Sequence, residues 1–163
     1  MGGSAFIEGK EYKEFDNFYE CKFRDSNENI FISSEHYYQY SKCVNDFDRA
    51  RVLKSSIENV YSVGQSVVLR EDWEKIKLYK MYEANRMKYF QNQDLGNQLK
   101  GTIGEIIVPS IMFGCLFWGA GIAGIYDGEN WNGKILMAIR DELNGKDVED
   151  FILEMRYRNF LMN

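Results

Sequence analysis

The segment from about Asp72 to Gln91 constrains the fold most. Trp73, Ile76, Lys80, Met87 and Phe90 recur at roughly helical spacing, as do Leu78, Met81, Tyr82, Asn85 and Tyr89. That is the period with which an α-helix brings residues onto a common face. Shorter stretches on both sides read the same way. Ser33 or Ser34 can cap a helix from Glu35 to about Val44, because a serine hydroxyl satisfies a free amide of the first turn. Asp46 can cap a second helix through Leu53, a third short one precedes Gly64, and Asn92 can cap a brief helix ending near Gly101. Asn132 to Leu143 reads as a helix stopped by Gly145, and Asp147 caps a last amphipathic helix carrying Val148, Phe151, Ile152, Met155 and Phe160. Only near the N-terminus does the pattern change. Apolar residues alternate in Glu20–Arg24 and Asn29–Ser33 around the polar Asp25-Ser26-Asn27-Glu28, which predicts a β-hairpin.

The expected fold is therefore mainly α with a small N-terminal β element (α+β), a multihelical single domain. At 163 residues the chain can bury one real core. Residues 1–5 are expected to be a tail, 6–145 the main domain, and 146–163 a C-terminal helix packed on it. The net charge of −5 offers no global basic field for a polyanion, so extended duplex binding is not expected. Cys21, Cys43 and Cys115 are widely spaced and form no CxxC pair, and the single histidine completes no zinc pattern; reduced thiols, no metal and no cofactor are expected. Met1 is followed by small and charged residues rather than an apolar core, and a cytoplasmic location is expected. Ile106 to Tyr126 lacks charge and is long enough to span a bilayer. Pro109 and the glycines at 114, 119, 121 and 124 argue instead for a buried segment followed by a glycine-rich loop, with no membrane partner.

Candidate chemistry concentrates on the helix that begins at Glu35. Glu35, Gln39 and Lys42 are spaced i, i+4 and i+7 and share one face. Spacing alone describes an exposed Glu–Lys face, with Gln39 between them, better than a site. Were the face buried, Lys42 would lose solvation, which favours its neutral, nucleophilic form, and an ionised Glu35 nearby would oppose that shift. His36 lies about 100° round the helix and, as a lone histidine, is not read as the base. Trp73 and Trp118 are candidate stacking walls, the latter in Phe117-Trp118-Gly119-Ala120-Gly121 where glycine lets backbone approach a ligand. The turn Gly128 to Lys134 feeds a helix whose first amides could receive a phosphate.

These pieces together resemble the NADAR family of N-glycosidases. The resemblance runs from about Phe15 to Leu143. Its most specific element is Ser34-Glu35-His36-Tyr37-Tyr38-Gln39 followed by Lys42, similar to the family's SEHYFQAxK block. Supporting blocks follow in the family's order: Phe15-Asp16-Asn17-Phe18-Tyr19, Arg70-Glu71-Asp72-Trp73-Glu74, Trp118-Gly119-x-Gly121, and Asn130-Trp131-x-Gly133-Lys134-Ile135-Leu136-Met137 with Arg140. The resemblance implies a NADAR-like fold and hydrolysis of a bond between ribose C1 and a nitrogen. It implies Glu35 and Lys42 as catalytic groups, with Asn17, Phe18, His36, Gln39, Trp73, Trp118, Gly119 and Asn130 as substrate-binding residues.

Two substrate classes follow from the resemblance. One is ADP-ribose attached to guanine of a nucleotide, or of modified single-stranded DNA or RNA, and this is the leading expectation. The other is a phosphorylated ribosylaminopyrimidine intermediate of riboflavin synthesis. A non-catalytic ADP-ribose-binding module is the third possibility. The chain also departs from the family pattern. Ser110 and Cys115 stand where members often carry acids, Ala120 where some carry Asp, and Gln65 where an arginine is common. The missing arginine bears most on any phosphate contact.

Overall fold

The structure is a computed structural model that describes residues 3–109, 116–120 and 128–161. Seven α-helices among these residues are joined by two small antiparallel sheets. The helices are α1 (Ser34–Ser41), α2 (Asp46–Leu53), α3 (Ile57–Gln65), α4 (Trp73–Gln91), α5 (Gln93–Lys100), α6 (Trp131–Leu143) and α7 (Glu149–Leu161). The strands are β1 (Ala5–Ile7), β2 (Lys10–Tyr12), β3 (Phe23–Arg24), β4 (Ile30–Phe31) and β5 (Val108–Pro109). The mainly α, α+β reading holds.

Helix α4 organises the rest. Leu78, Met81, Tyr82, Asn85 and Tyr89 are all buried, so this second periodic set is its core face, while Phe90 of the first set lies exposed. Helices α1, α5, α6 and α7 all pack on α4. Burying a large apolar side chain is worth about 1.5–3 kcal/mol, and Leu78, Met81, Tyr82 and Tyr89 each bring one to the main cluster with Trp131, Ile135, Ile139 and Met155. Met155 belongs to α7, which is why the last helix stays against the body.

Local signals fix several boundaries and correct others. Ser33 is the cap of α1: its backbone is extended and its Oγ accepts the amide of His36 at 3.2 Å. The helix ends at Ser41 rather than Val44, with Lys42 in the C-cap position. Helix α2 is capped by Asn45, not Asp46, since Asn45 Oδ1 accepts the amide of Asp48 at 2.8 Å. Helix α3 runs through Gly64 to Gln65. Asn92 makes no side-chain cap for α5; its Nδ2 donates to the carbonyls of Lys22 and Lys88. Asp147 does serve the start of α7, its Oδ1 accepting the amide of Glu149 at 2.8 Å.

The hairpin appears as β3 and β4 in the register Phe23↔Phe31 and Arg24↔Ile30. The three-stranded sheet in the order β2-β1-β5 has no counterpart in the sequence reading. Its central strand begins at Ala5, fully buried, so the expected tail over 1–5 ends before that residue. Of the uncharged stretch Ile106 to Tyr126, Ile107 is buried and Val108–Pro109 pairs with β1; Ser110, Cys115 and Gly121 lie outside the described residues. No helix among the described residues is long and apolar enough to cross a membrane.

Helix α6 is locked to the residue just before β5, Ile107. A Cβ on Gly133 would collide with the carbonyl of Ile107 and the side-chain amide of Asn130. Backbone cannot swing aside as a long side chain can, so Gly133→Ala is expected to cost about 3 kcal/mol, at the high end of overpacking effects. Urea denaturation would show this as a lowered midpoint with an unchanged slope. Arg140, from the same sequence block, is also a tie: its Nη1 donates to the carbonyls of Thr102 and Glu105, each at 2.7 Å.

Candidate active site

The shared face of α1 is buried, not solvated. Glu35 is 0% and Lys42 7% exposed, and Gln39 lies between them at 1%. Gln39 Nε2 donates to Glu35 Oε1 at 2.5 Å. Burial pushes the Lys42 ammonium below the usual lysine value, and the nearby Glu35 and Cys43 only partly oppose this. The Lys42 Nζ stands 5.3 Å from the Tyr38 ring centroid and 5.7 Å from that of Trp73. Tyr38 meets Trp73 edge-on at 4.9 Å and Trp118 at 5.7 Å. One amine thus faces an aromatic corner built from α1, the start of α4 and the 116–120 segment.

A cavity of about 170 Å³ opens here, lined by Tyr38, Gln39, Lys42, Tyr61, Gln65, Met81 and Trp118. A dry 150 Å³ cavity accepts benzene, so this space matches one ring of a ligand. Lys42 is the one cation in its wall among the described residues. Its far side is α3, held close by a missing side chain: a Cβ on Gly64 would collide with the Gln39 amide. Because Gln39 is itself enclosed, Gly64→Ala is expected to displace it and break its bond to Glu35. The stability cost should be about 1–3 kcal/mol. The activity loss should be larger than the melting shift explains, which kcat measured per folded molecule would reveal.

The structure brings Glu35, Gln39, Lys42, Trp73 and Trp118 together, but neither Glu35 nor Trp73 is in the cavity wall: Glu35 stands behind Gln39, which donates to it, and Trp73 behind Tyr38 and Lys42. The other expected contact residues do not line this cavity. His36 has both ring nitrogens engaged, Nδ1 with Ser33 Oγ and Nε2 with the Ser55 carbonyl, each at 2.9 Å, and burial lowers its pKa. It ties α1 to the α2–α3 turn. Phe18 packs against the cluster of Cys43, Val52, Val60 and Val67. Asn17 is buried, and its Nδ2 donates to Asn132 Oδ1 at 3.3 Å. Asn130 takes up a left-handed backbone (φ 55°) before α6, and its Nδ2 holds the Ile107 carbonyl at 3.0 Å.

The phosphate expectation at the start of α6 is overturned. The amides of Asn130, Trp131 and Asn132 already donate to the carbonyls of Gly119, Phe117 and Trp118, at 2.9, 3.3 and 2.9 Å. With its first amides engaged, that helix end is a brace for the Trp118 loop. Gly119, a proposed ligand contact, contributes its carbonyl to the same brace.

Sequence reading missed Tyr38, Tyr61 and Met81 as cavity residues, and took Gln65 only as a departure. Tyr38 was within reach: at i+3 from Glu35 and i−4 from Lys42, it shares their face. Tyr61 and Gln65 are an i, i+4 pair on α3, but no local signal says that α3 faces α1.

The chain and its fold are similar to those of known proteins. Residues 5–144 match the family model described as the NADAR domain. The chain is 33% identical over 148 residues to the riboflavin biosynthesis protein PYRR, chloroplastic, of Zea mays, covering 80% of this chain and 23% of that one. It is 35% identical over 135 residues to a riboflavin biosynthesis protein of Vibrio vulnificus, covering 78% and 34%. It therefore spans about a quarter to a third of those relatives' length. To an N-glycosidase of Nostoc punctiforme it is 32% identical over 117 residues, covering 67% of this chain and 72% of that one. The NMR structure of the E. coli protein YbiA superposes with a TM-score of 0.72 at 28% identity, covering 83% and 80% of the two chains.

Proposed function

The chain belongs to the NADAR family, and from that membership we infer that it is an N-glycosidase, breaking the bond between C1 of a ribose and a nitrogen. The observation that supports this most is the buried face of α1, where Lys42 borders a ring-sized cavity beside Glu35 and the aromatic corner. A furanose ring fits a space of about 170 Å³, whereas a whole ADP-ribose does not, so the remainder of any substrate lies outside it.

In the proposed reaction the ribosylamine opens to an imine at C1. The neutral Lys42 amine adds its lone pair to C1, and the C1–N bond to the aglycone breaks as Glu35 delivers a proton to the leaving nitrogen. Water then adds to the Lys42 imine, and collapse returns the amine and the free sugar aldehyde. A second mechanism has Glu35 activating water directly at an oxocarbenium-like C1 while Lys42 stays charged. The stacking of Nζ near the Tyr38 and Trp73 rings favours that second role, because aromatic faces attract a cation.

Of the two substrate classes, the phosphorylated ribosylaminopyrimidine is favoured over ADP-ribosyl guanine by the names of the relatives in Zea mays and Vibrio vulnificus. Incubation with each substrate separately, following released base and sugar, tests the reading. Cleavage of the ribosylaminopyrimidine is the expected result, and cleavage of ADP-ribosyl guanine alone reverses the substrate order. Activity on neither, with tight ADP-ribose binding, would replace the enzyme by a binding module.

A further inference from the structure

We propose that Asn85 on α4 is a positioning residue for Glu35, acting through a buried line of side-chain amides that ties four parts of the site together. Ser34 Oγ donates to Asn85 Oδ1 at 3.0 Å, Asn85 Nδ2 donates to Asn17 Oδ1 at 3.0 Å, and Asn17 Nδ2 donates to Asn132 Oδ1 at 3.3 Å. The line joins the first residue of α1, the middle of α4, the 16–18 turn and the first turn of α6. Asn85 is 1% exposed, so water cannot replace these bonds.

The connection to Glu35 is one bond further. The Asn17 carbonyl accepts the backbone amide of Glu35 at 3.0 Å, one of the amides that a helix start leaves without an intrahelical partner. Fixing Asn17 thus fixes the height and rotation at which Glu35 enters the site. The same stripe of α4 supports the arrangement on both sides. Met81, one turn earlier, lines the cavity and its carbonyl accepts a second bond from Asn85 Nδ2 at 3.1 Å. Lys88, one turn later, donates to the carbonyls of Glu14 and Asp16 at 2.8 and 2.9 Å, clamping the approach to Asn17. Since α4 also places Trp73 beside Lys42, one rigid helix sets the relative position of both proposed catalytic groups.

This inference rests on the reading of Glu35 as a proton carrier. The test is steady-state cleavage of the phosphorylated ribosylaminopyrimidine by wild type, Asn85→Leu and Asn85→Asp. Where wild type cleaves only ADP-ribosyl guanine, the same comparison is made on that substrate; turnover of neither by wild type sinks the glycosidase reading itself, so the two failures are distinct. For N85L the expected result is a fall in kcat of about 10- to 100-fold, the scale of a misplaced catalytic group, with KM changed less than about two-fold. Wild-type kcat in folded N85L, or a rise in KM alone, overturns the proposal.

Should N85L not fold, N85D decides. It keeps the shape and the acceptor for Ser34, but its buried carboxyl can donate to Asn17 only when protonated. The ratio of N85D to wild-type kcat is expected to lie below one at pH 8 and to rise as pH falls. With kcat taken per folded molecule, a ratio that is flat or falls with acid overturns the proposal, since ionisation that only destabilised the fold would then leave the ratio flat.

Discussion

Glu35→Gln is expected to lower kcat for base release by about 10²–10⁴-fold, the usual contribution of a positioned general acid–base group, with the fold retained. Glutamine preserves the shape and offers a carbonyl oxygen to Gln39 Nε2, so the hydrogen bond seen at 2.5 Å has a replacement. The amide cannot carry the proton between leaving nitrogen, sugar and water. The effect should therefore fall on kcat, with KM nearly unchanged. Rapid-quench measurement of the first turnover checks this, because it isolates bond cleavage from product release. A first-turnover rate within ten-fold of wild type would remove Glu35 from the chemistry.

Lys42→Met should be still more damaging, at least about 10³-fold, on the scale that loss of a covalent nucleophile costs other enzymes. Borohydride added during turnover should trap a sugar adduct on wild-type Lys42 and none on the variant. Lys42→Arg separates the two mechanisms: a guanidinium keeps the charge but does not deprotonate near neutral pH. If Lys42 only holds charge, K42R retains part of the rate; if it forms the imine, K42R is as inactive as K42M.

The pH dependence has a definite sign. In the imine mechanism the amine reacts when neutral, so this limb of kcat rises with pH, its midpoint below the usual lysine value because burial disfavours the ammonium; a rate that needs the charged amine falls over the same range. The same lowering affects stability. Between the folded value and the unfolded one, the unfolded chain binds more protons at Lys42, so the stability contribution grows as pH rises through that window. K42M should lack that increment.

How much of this was legible beforehand depends on range along the chain. Helices α1, α4, α6 and α7 were readable because their spacing is local, and α1 and α7 also because Ser33 and Asp147 accept amides at their starts. The site face was half readable: 35, 39 and 42 fall on one side of any helix, but burial decides whether such a face is a catalytic wall or a solvated surface. That decision comes from Gly64, Trp73 and Trp118, distant in sequence. The β2-β1-β5 sheet was missed because its strands have two or three residues and β5 joins from 96 residues after β1's last neighbour in the hairpin, β2. The phosphate reading at α6 failed for the same reason, since only the fold reveals that the Trp118 loop already occupies those amides.

The central claim is that this chain cleaves a ribose C1–N bond with the buried face of α1. Its most direct test is a single-turnover reaction on the phosphorylated ribosylaminopyrimidine with wild-type and E35Q protein prepared identically, quantifying aminopyrimidine and sugar phosphate together. The account predicts equal amounts of both products from wild type and release slower by about 10²–10⁴-fold from E35Q. Equal rates from the two proteins, or no release from wild type on either substrate class, would contradict it.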